Sequence, residues 1–355
     1  MIKLARIRRV EDPTDLMSKL EARQEAVAAM RQTFQVQFGL GLEPVGMPGT
    51  PDPSLIAYGS TLAVANECVN YQFACGFPEE TARSLTRILF ALDEDEEPSL
   101  EDMGDGLREI PNVAAGVWKA MRERTAGEQY QLGLPIFLKG NSWVRYFPRN
   151  VNAIGQTLRA SDGTVLQMVL IWQYGQRAGG EPLMSTQIVE NAVAAGSSLP
   201  MLVLQEAVRA VVETCAVQMN LALEVDPSPS DPRDADVEYG SSIALTSETG
   251  GWQLAVMGSR ASCEMLTRSL FAMEDGEEPA MADMADALGE IANVAAGVMK
   301  ASRAAAGQAV QLGLPLFMEG RGCFEFFASG IQGMAQTVHG DAGLSAHVIL
   351  IWQEG

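Results

Sequence analysis

Two short segments of the chain hold the residues whose types and spacing could do chemistry. They read Glu109-Ile110-Pro111-Asn112-Val113-Ala114-Ala115-Gly116-Val117 and Glu290-Ile291-Ala292-Asn293-Val294-Ala295-Ala296-Gly297-Val298. On a helix advancing about 100° per residue, Asp105, Glu109, Asn112 and Gly116 fall within about 60° of one another. Leu107, Ile110, Ala114, Val117 and Met121 lie opposite, and Asp286, Glu290, Asn293 and Gly297 repeat the polar stripe. A carboxylate and an amide at i, i+3 point the same way, so the pair can seat a water molecule and a cation together. The stripe contains no strong nucleophile or base. Met alone, it would read as a solvated helix face; its recurrence weighs against that. Glycine inside a helix costs about 1 kcal/mol against alanine. Its presence on both polar faces points to a partner's backbone coming close, or to packing against a neighbouring helix.

The elements that must position these stripes are themselves written twice. Gln24-Glu25-Ala26-Val27, Tyr58-Gly59-Ser60 and Leu85-Thr86-Arg87 each recur 181 residues later. Gln131-Leu132-Gly133-Leu134-Pro135 and Ile171-Trp172-Gln173 recur after 180, so one residue is lost between Lys300 and Gly307. The register holds end to end, which predicts one domain over residues 1–175 and its copy over 199–355. Residues 176–198 read as a linker, punctuated by Gly179, Gly180, Pro182, Gly196, Ser197 and Ser198, with a short helix expected over Thr186 to Ala195. In each copy the pattern predicts a first helix (Leu16 to Gln37), with Leu20, Val27, Met30 and Phe34 on one side. Val208, Val211 and Cys215 take the last three of these places in the second copy. A hairpin (Ser60 to Gly76, Ser241 to Gly258) and a second helix follow, then an acidic loop, the stripe helix and closing strands. Those strands include Val165 to Trp172 and His347 to Trp352, whose Trp172 and Trp352 read as core. Helices and strands mix without regular βα alternation, which is an α+β pattern.

Bulk properties exclude several functions. A hydrophobic fraction of 47% and a charged fraction of 20% describe a folded globular chain. A net charge of −20 argues against nucleic acid and anionic membranes as partners. No apolar run approaches the length of a membrane span and residues 1–9 lack a signal peptide's apolar centre, so a cytoplasmic location is expected. Cys68, Cys75, Cys215, Cys263 and Cys323 are odd in number and form no CxxC, which predicts buried free thiols over disulfides or a zinc site. His339 and His347 face Arg159 and Gln167 in the first copy, making them poor candidates for a metal site or general base.

Asp105-x3-Glu109-x2-Asn112, followed by Pro135, resembles the D-x3-E-x2-N-x21-P signature of the CheC/CheX/FliY chemotaxis phosphatases. Asp286, Glu290, Asn293 and Pro315 match that spacing, and the first copy has one extra residue before Pro135. The order of first helix, hairpin and acidic lead-in also resembles CheX, so the likeness covers nearly all of both copies. CheC carries a second motif on its opening helix. Here those helices read Glu25-Ala26-Val27-Ala28 and Glu206-Ala207-Val208-Arg209, with no Asn at the required place. The resemblance therefore implies two tandem CheX-like domains with one site each, every domain a β-sheet with long helices packed on it. CheX proteins pair as dimers, which implies intrachain pairing of the two copies.

The implied activity is hydrolysis of the aspartyl phosphate on a CheY-like receiver domain in chemotaxis or two-component signalling. Asn112 and Asn293 would orient the attacking water, and Glu109 and Glu290 would pair with the receiver's lysine. The receiver would supply the Mg²⁺, so no cofactor or metal of the chain's own is expected. Asp105, Asp286, Gly116, Gly297, Pro135 and Pro315 would support the sites. The alternative is a non-catalytic receiver-binding or assembly module of the same fold, and a purely structural repeat is a third reading. Pro111, where the second copy has Ala292, departs from the helical pattern. Its expected effect is a distorted first site or a kink absorbed on the solvent side. The acidic runs Asp93 to Glu97 and Glu274 to Glu278 read as solvated loops or as a field that steers the receiver's lysine.

Overall fold

The computed structural model describes residues 13–66, 69–93, 95–127, 129–146, 151–174, 198–247, 250–274, 276–319 and 331–353. The short helix expected over Thr186 to Ala195 lies outside them, as do Cys68 and Cys323.

The first half runs α1 (Pro13–Phe38), β1 (Leu42–Gly49), β2 (Tyr58–Ala65), β3 (Val69–Phe77), α2 (Glu79–Phe90) and α3 (Leu100–Ala126). It closes with β4 (Gln131–Leu132), β5 (Ile136–Lys139), the single turn α4 (Ser142–Arg145), β6 (Asn152–Ala160) and β7 (Val165–Tyr174). The second half repeats the plan as α5 (Leu199–Met219), β8 (Glu224–Val225), β9 (Tyr239–Ser247), β10 (Gly250–Gly258), α6 (Arg260–Phe271) and α7 (Met281–Ala305). Strands β11 (Gln311–Leu312), β12 (Leu316–Glu319), β13 (Ile331–His339) and β14 (Ser345–Gln353) complete it. Each half is an antiparallel seven-stranded sheet. The orders are β1-β6-β7-β3-β2 and β8-β13-β14-β10-β9, with β4 and β5, or β11 and β12, lying in turn along the outer edge of β2 or β9.

Both faces of each central strand are apolar, and the two-residue period sends them to different cores. On β7, Leu166, Met168, Leu170 and Trp172 face α1 and α3, while Val169 and Ile171 face the other way. On β14, Val348, Leu350 and Trp352 face α5 and α7, while Ile349 and Ile351 face away. The away-facing residues of both sheets meet in a single cluster that includes Ala74, Leu138, Trp143, Ala255, Met257 and Leu316. The layers are thus helices, sheet, sheet, helices. Glu319 N–H donates to Ser142 Oγ across this seam at 3.1 Å, and the Tyr146 ring meets Phe317 edge-on at 6.0 Å.

The repeated Gln-Leu-Gly-Leu-Pro segment has its reason here. A Cβ on Gly133 would lie 3.1 Å from the Ala63 methyl and 3.4 Å from that of Ala244. One on Gly313 would lie 2.9 Å from Ala63 and 3.1 Å from Ala244. Each glycine lets the turn of one copy close against the other.

The stripe helices start where the sequence offers caps. Ser99 Oγ accepts from Asp102 N–H at 3.1 Å, and Asp102 accepts from Ser99 N–H at 2.8 Å, a capping box. Ala280 leaves only the second half of that arrangement, Asp283 accepting from Ala280 N–H at 3.1 Å. Proline 111 does not break α3, which runs continuously from Leu100 to Ala126. Nor does it lie on the solvent side, as one of the two expectations had it: Pro111 is buried, on the same face as Ile110 and Ala114. The hydrogen bond that proline cannot donate is lost on the packed side, where neighbouring elements hold the helix in place.

Among the described residues, no helix is long and apolar enough to cross a membrane. Cys75, Cys215 and Cys263 are buried free thiols. Burial pushes the Cys215 and Cys263 thiols up to about 12, and Cys75 well above its usual range. Trp172 and Trp352 are buried in the cores.

Candidate functional site

Helices α3 and α7 lie along their sheets with Leu107, Ile110, Ala114, Leu288, Ile291 and Ala295 buried. That apolar stripe fixes the rotation of each helix, and with it the direction of the opposite face. Glu109 and Glu290 are exposed, and Asn112 and Asn293 are half-buried one turn further on. In the first copy, Asn112 Nδ2 donates to Glu109 Oε2 at 3.3 Å. The helix therefore brings acid and amide into direct contact on its outer side.

One turn beyond, a Cβ built on Gly116 or Gly297 meets nothing within 4 Å among the described residues. Packing against a neighbouring helix, one of the two expectations, is thus not what keeps these glycines.

The Asp105 carboxylate accepts from Arg108 Nη2 at 2.9 Å, and only 20% of its side chain is exposed. Burial lowers the Arg108 guanidinium from its ordinary range, while Asp105 and Glu109 pull it back up. Gly289 occupies the place of Arg108 in the second copy, so the two stripes differ by one cation. Pro135 and Pro315 occupy the connections 133–135 and 313–315 that lead into β5 and β12.

The acidic lead-in of the first copy is anchored by its own chain. Glu97 takes Arg83 at 2.8 Å and Arg87 at 2.6 Å. Arg87 Nε also donates to Glu96 O at 3.0 Å, and Arg268 Nε to Glu277 O at 2.9 Å in the second copy. The Glu97 carboxylate is therefore already committed to two guanidinium groups.

Sequence reasoning did not assign a cross-helix ion pair present in both copies. Arg122 Nη1 lies 3.3 Å from Glu25, and Arg303 Nη2 lies 2.8 Å from Glu206. The signal was available: both members recur at the 181-residue shift. The glutamate of the opening helix therefore ties α1 to α3, and α5 to α7, instead of belonging to a second polar stripe. Among the described residues, no group of three or more His, Cys, Asp or Glu is placed to hold a metal ion. His339 Nε2 lies 3.0 Å from Asp226, and His347 Nδ1 lies 3.3 Å from Thr337 Oγ1.

The chain is thus a duplicated α+β unit that carries an acid and an amide, one turn apart, on the outer side of a long helix in each copy. Residues 240–346 match the family model described as chemotaxis phosphatase CheX. That match spans most of the second unit, which is thus similar to CheX, and the first unit repeats the sequence pattern and topology of the second, giving two CheX-like units in tandem. No curated protein matches the chain.

Similar solved structures include a chemotaxis protein CheX from Desulfovibrio desulfuricans. It is 14% identical, with 44% of this chain and 99% of that one covered at a TM-score of 0.35. A CheC-like superfamily protein from a Shewanella species is 14% identical, with 43% and 98% covered at 0.37. The CheX–CheY–BeF3–Mg complex of Borrelia burgdorferi is 16% identical, with 43% and 97% covered at 0.37.

Proposed function

We propose that the chain dephosphorylates the aspartyl phosphate of a CheY-like receiver domain, using Glu109 with Asn112 and Glu290 with Asn293. The observation that carries this reading is the outward projection of an acid and an amide, one turn apart, in both copies. The family match of the second unit supports it.

In this reading the glutamate captures the receiver's active-site lysine. In the first copy Glu109 must then exchange its contact with Asn112 for one with the incoming ammonium. The freed carboxamide enters beside the phosphoryl group and holds a water in line with the P–O bond to the receiver's aspartate. Water oxygen bonds to phosphorus, that bond breaks, and inorganic phosphate and a free aspartate result. A group with neither acid nor base strength suffices, because phosphoryl transfer depends chiefly on positioning and charge neutralisation. The receiver's own Mg²⁺ supplies the neutralisation, and pairing of the two units within one chain does the work of a dimer.

Dephosphorylation of a phosphorylated receiver by the wild type and by Asn112→Ala/Asn293→Ala tests this. The double variant is expected to lose about 100-fold in rate acceleration or more, and Asn293→Ala alone at least as much as Asn112→Ala alone. Full acceleration by the double variant would refute the assignment. Tight binding of the phosphorylated receiver by wild-type protein, with no acceleration, would identify a docking or assembly module instead.

A further inference from the structure

The two units differ at the far ends of their stripe helices. In the first, Trp118 is fully buried, its indole 6.3 Å from the Tyr130 ring and nearly parallel to it, and 5.1 Å edge-on from Tyr71. These rings close the space between the end of α3, the β2–β3 hairpin and the return to β4. The repeat puts Met299 in place of Trp118, Val310 in place of Tyr130 and Trp252 in place of Tyr71. An indole and a phenol have been lost from one location and only one ring enlarged.

The second unit has a cavity of about 680 Å³ there, between the start of α5, the β9–β10 hairpin and the end of α7. Met299, Val310, Leu245, Trp252 and Trp352 line it, with Gln308 among the polar residues at its wall. The Trp252 and Trp352 rings stand 5.8 Å apart at 43°, cross-strand partners on β10 and β14. Arg303 also reaches the cavity, but its charge is answered by Glu206 at 2.8 Å, and its Nη1 donates to Gln308 at 3.1 Å. A ligand anion would have to compete with that carboxylate.

We infer that this cavity is a binding site for a small, neutral aromatic molecule. The volume lies within the range of small-molecule pockets, and a mostly apolar wall with a few polar groups is their usual chemistry. The first unit indicates the occupant, because it fills the equivalent place with an indole stacked on a phenol. Ring faces and edges of the two tryptophans offer the same contacts to a free ligand. The site is separate from the acid–amide stripe and does not depend on the phosphatase reading.

The test uses the full chain with 3-methylindole and 4-methylphenol, the free equivalents of the two missing side chains, followed by calorimetry and saturation-transfer NMR. Saturable binding of one equivalent is expected, with the two probes competing. Met299→Trp/Val310→Tyr, which rebuilds the first unit's filling, should weaken binding at least tenfold while circular dichroism stays unchanged. In the other direction, Trp118→Met/Tyr130→Val should add a second equivalent. Absence of saturable binding to the folded wild type would overturn the inference, as would unchanged affinity in the filled variant. Binding that appears only when residues 176–196 are replaced by a Gly-Ser segment of equal length would assign the cavity to the chain's own linker, and would overturn it too.

Discussion

Replacing Gly297 separates folding from docking, because the two demands predict opposite signs. A Cβ at this position meets nothing within 4 Å among the described residues, so Gly297→Ala introduces no clash with them. Alanine is favoured over glycine inside a helix by about 1 kcal/mol, which raises a thermal midpoint by roughly 2–4 °C in a unit of this size. If a receiver's backbone comes close to this point, the added methyl intrudes on a fitted contact. Such overpacking costs about 1–3 kcal/mol, or roughly 5- to 140-fold in affinity at 1.4 kcal/mol per tenfold. Gly297→Leu keeps the helix propensity and enlarges the obstacle.

The assay pairs calorimetric unfolding with steady-state dephosphorylation in an Asn112→Ala background, where only the second site operates. The expected outcome is a higher midpoint with a raised KM, more marked for leucine than for alanine. A stabilised Gly297→Leu variant with unchanged KM would refute the reasoning, since the glycine would then serve neither packing nor docking. The same substitutions at Gly116, in an Asn293→Ala background, should behave alike, because the space there is equally open.

Other perturbations have signs that the structure fixes. Glu206→Ala leaves the Arg303 guanidinium, 18% exposed, without its partner on α5, and should destabilise the protein by about 3–5 kcal/mol. Glu206→Leu combined with Arg303→Met should recover most of this in urea unfolding. Arg108 pairs with Asp105 and acts electrostatically on Glu109, and Gly289 supplies no such cation in the second copy. Arg108→Gly, measured with the second site disabled, should tighten receiver binding and steepen its loss between about 50 and 300 mM salt. Burial lowers the pKa of His347 from 6.5, so the unfolded chain takes up that proton first. Its contribution therefore costs stability as pH falls below about 6.5, and the loss is complete below the folded value. His347→Gln, the residue at the matching place in the first copy, should flatten the fall in urea midpoint between about pH 7.5 and 5.5.

The sequence alone determined what depends on local spacing. Helix periodicity placed Glu109 with Asn112 and Glu290 with Asn293 on one face, and the structure has each pair on the outer side. The two-residue period marked the hairpins and the strands that end at Trp172 and Trp352, and the 181-residue repeat announced two copies of one plan. Only the tertiary structure decided what depends on residues far apart in the chain. Pro111 was legible as a helix breaker, yet its burial within an unbroken helix follows from packing that no local signal encodes. Glu25 and Glu206 were visible in the repeat, but their arginine partners lie 97 residues away along the chain. The apolar residues on the second face of each strand implied burial without saying against what. The answer is the other copy, and Gly133 and Gly313 make sense only at that seam. A side chain's direction is set by the few residues around it, whereas its neighbour is set by how whole elements exclude water together.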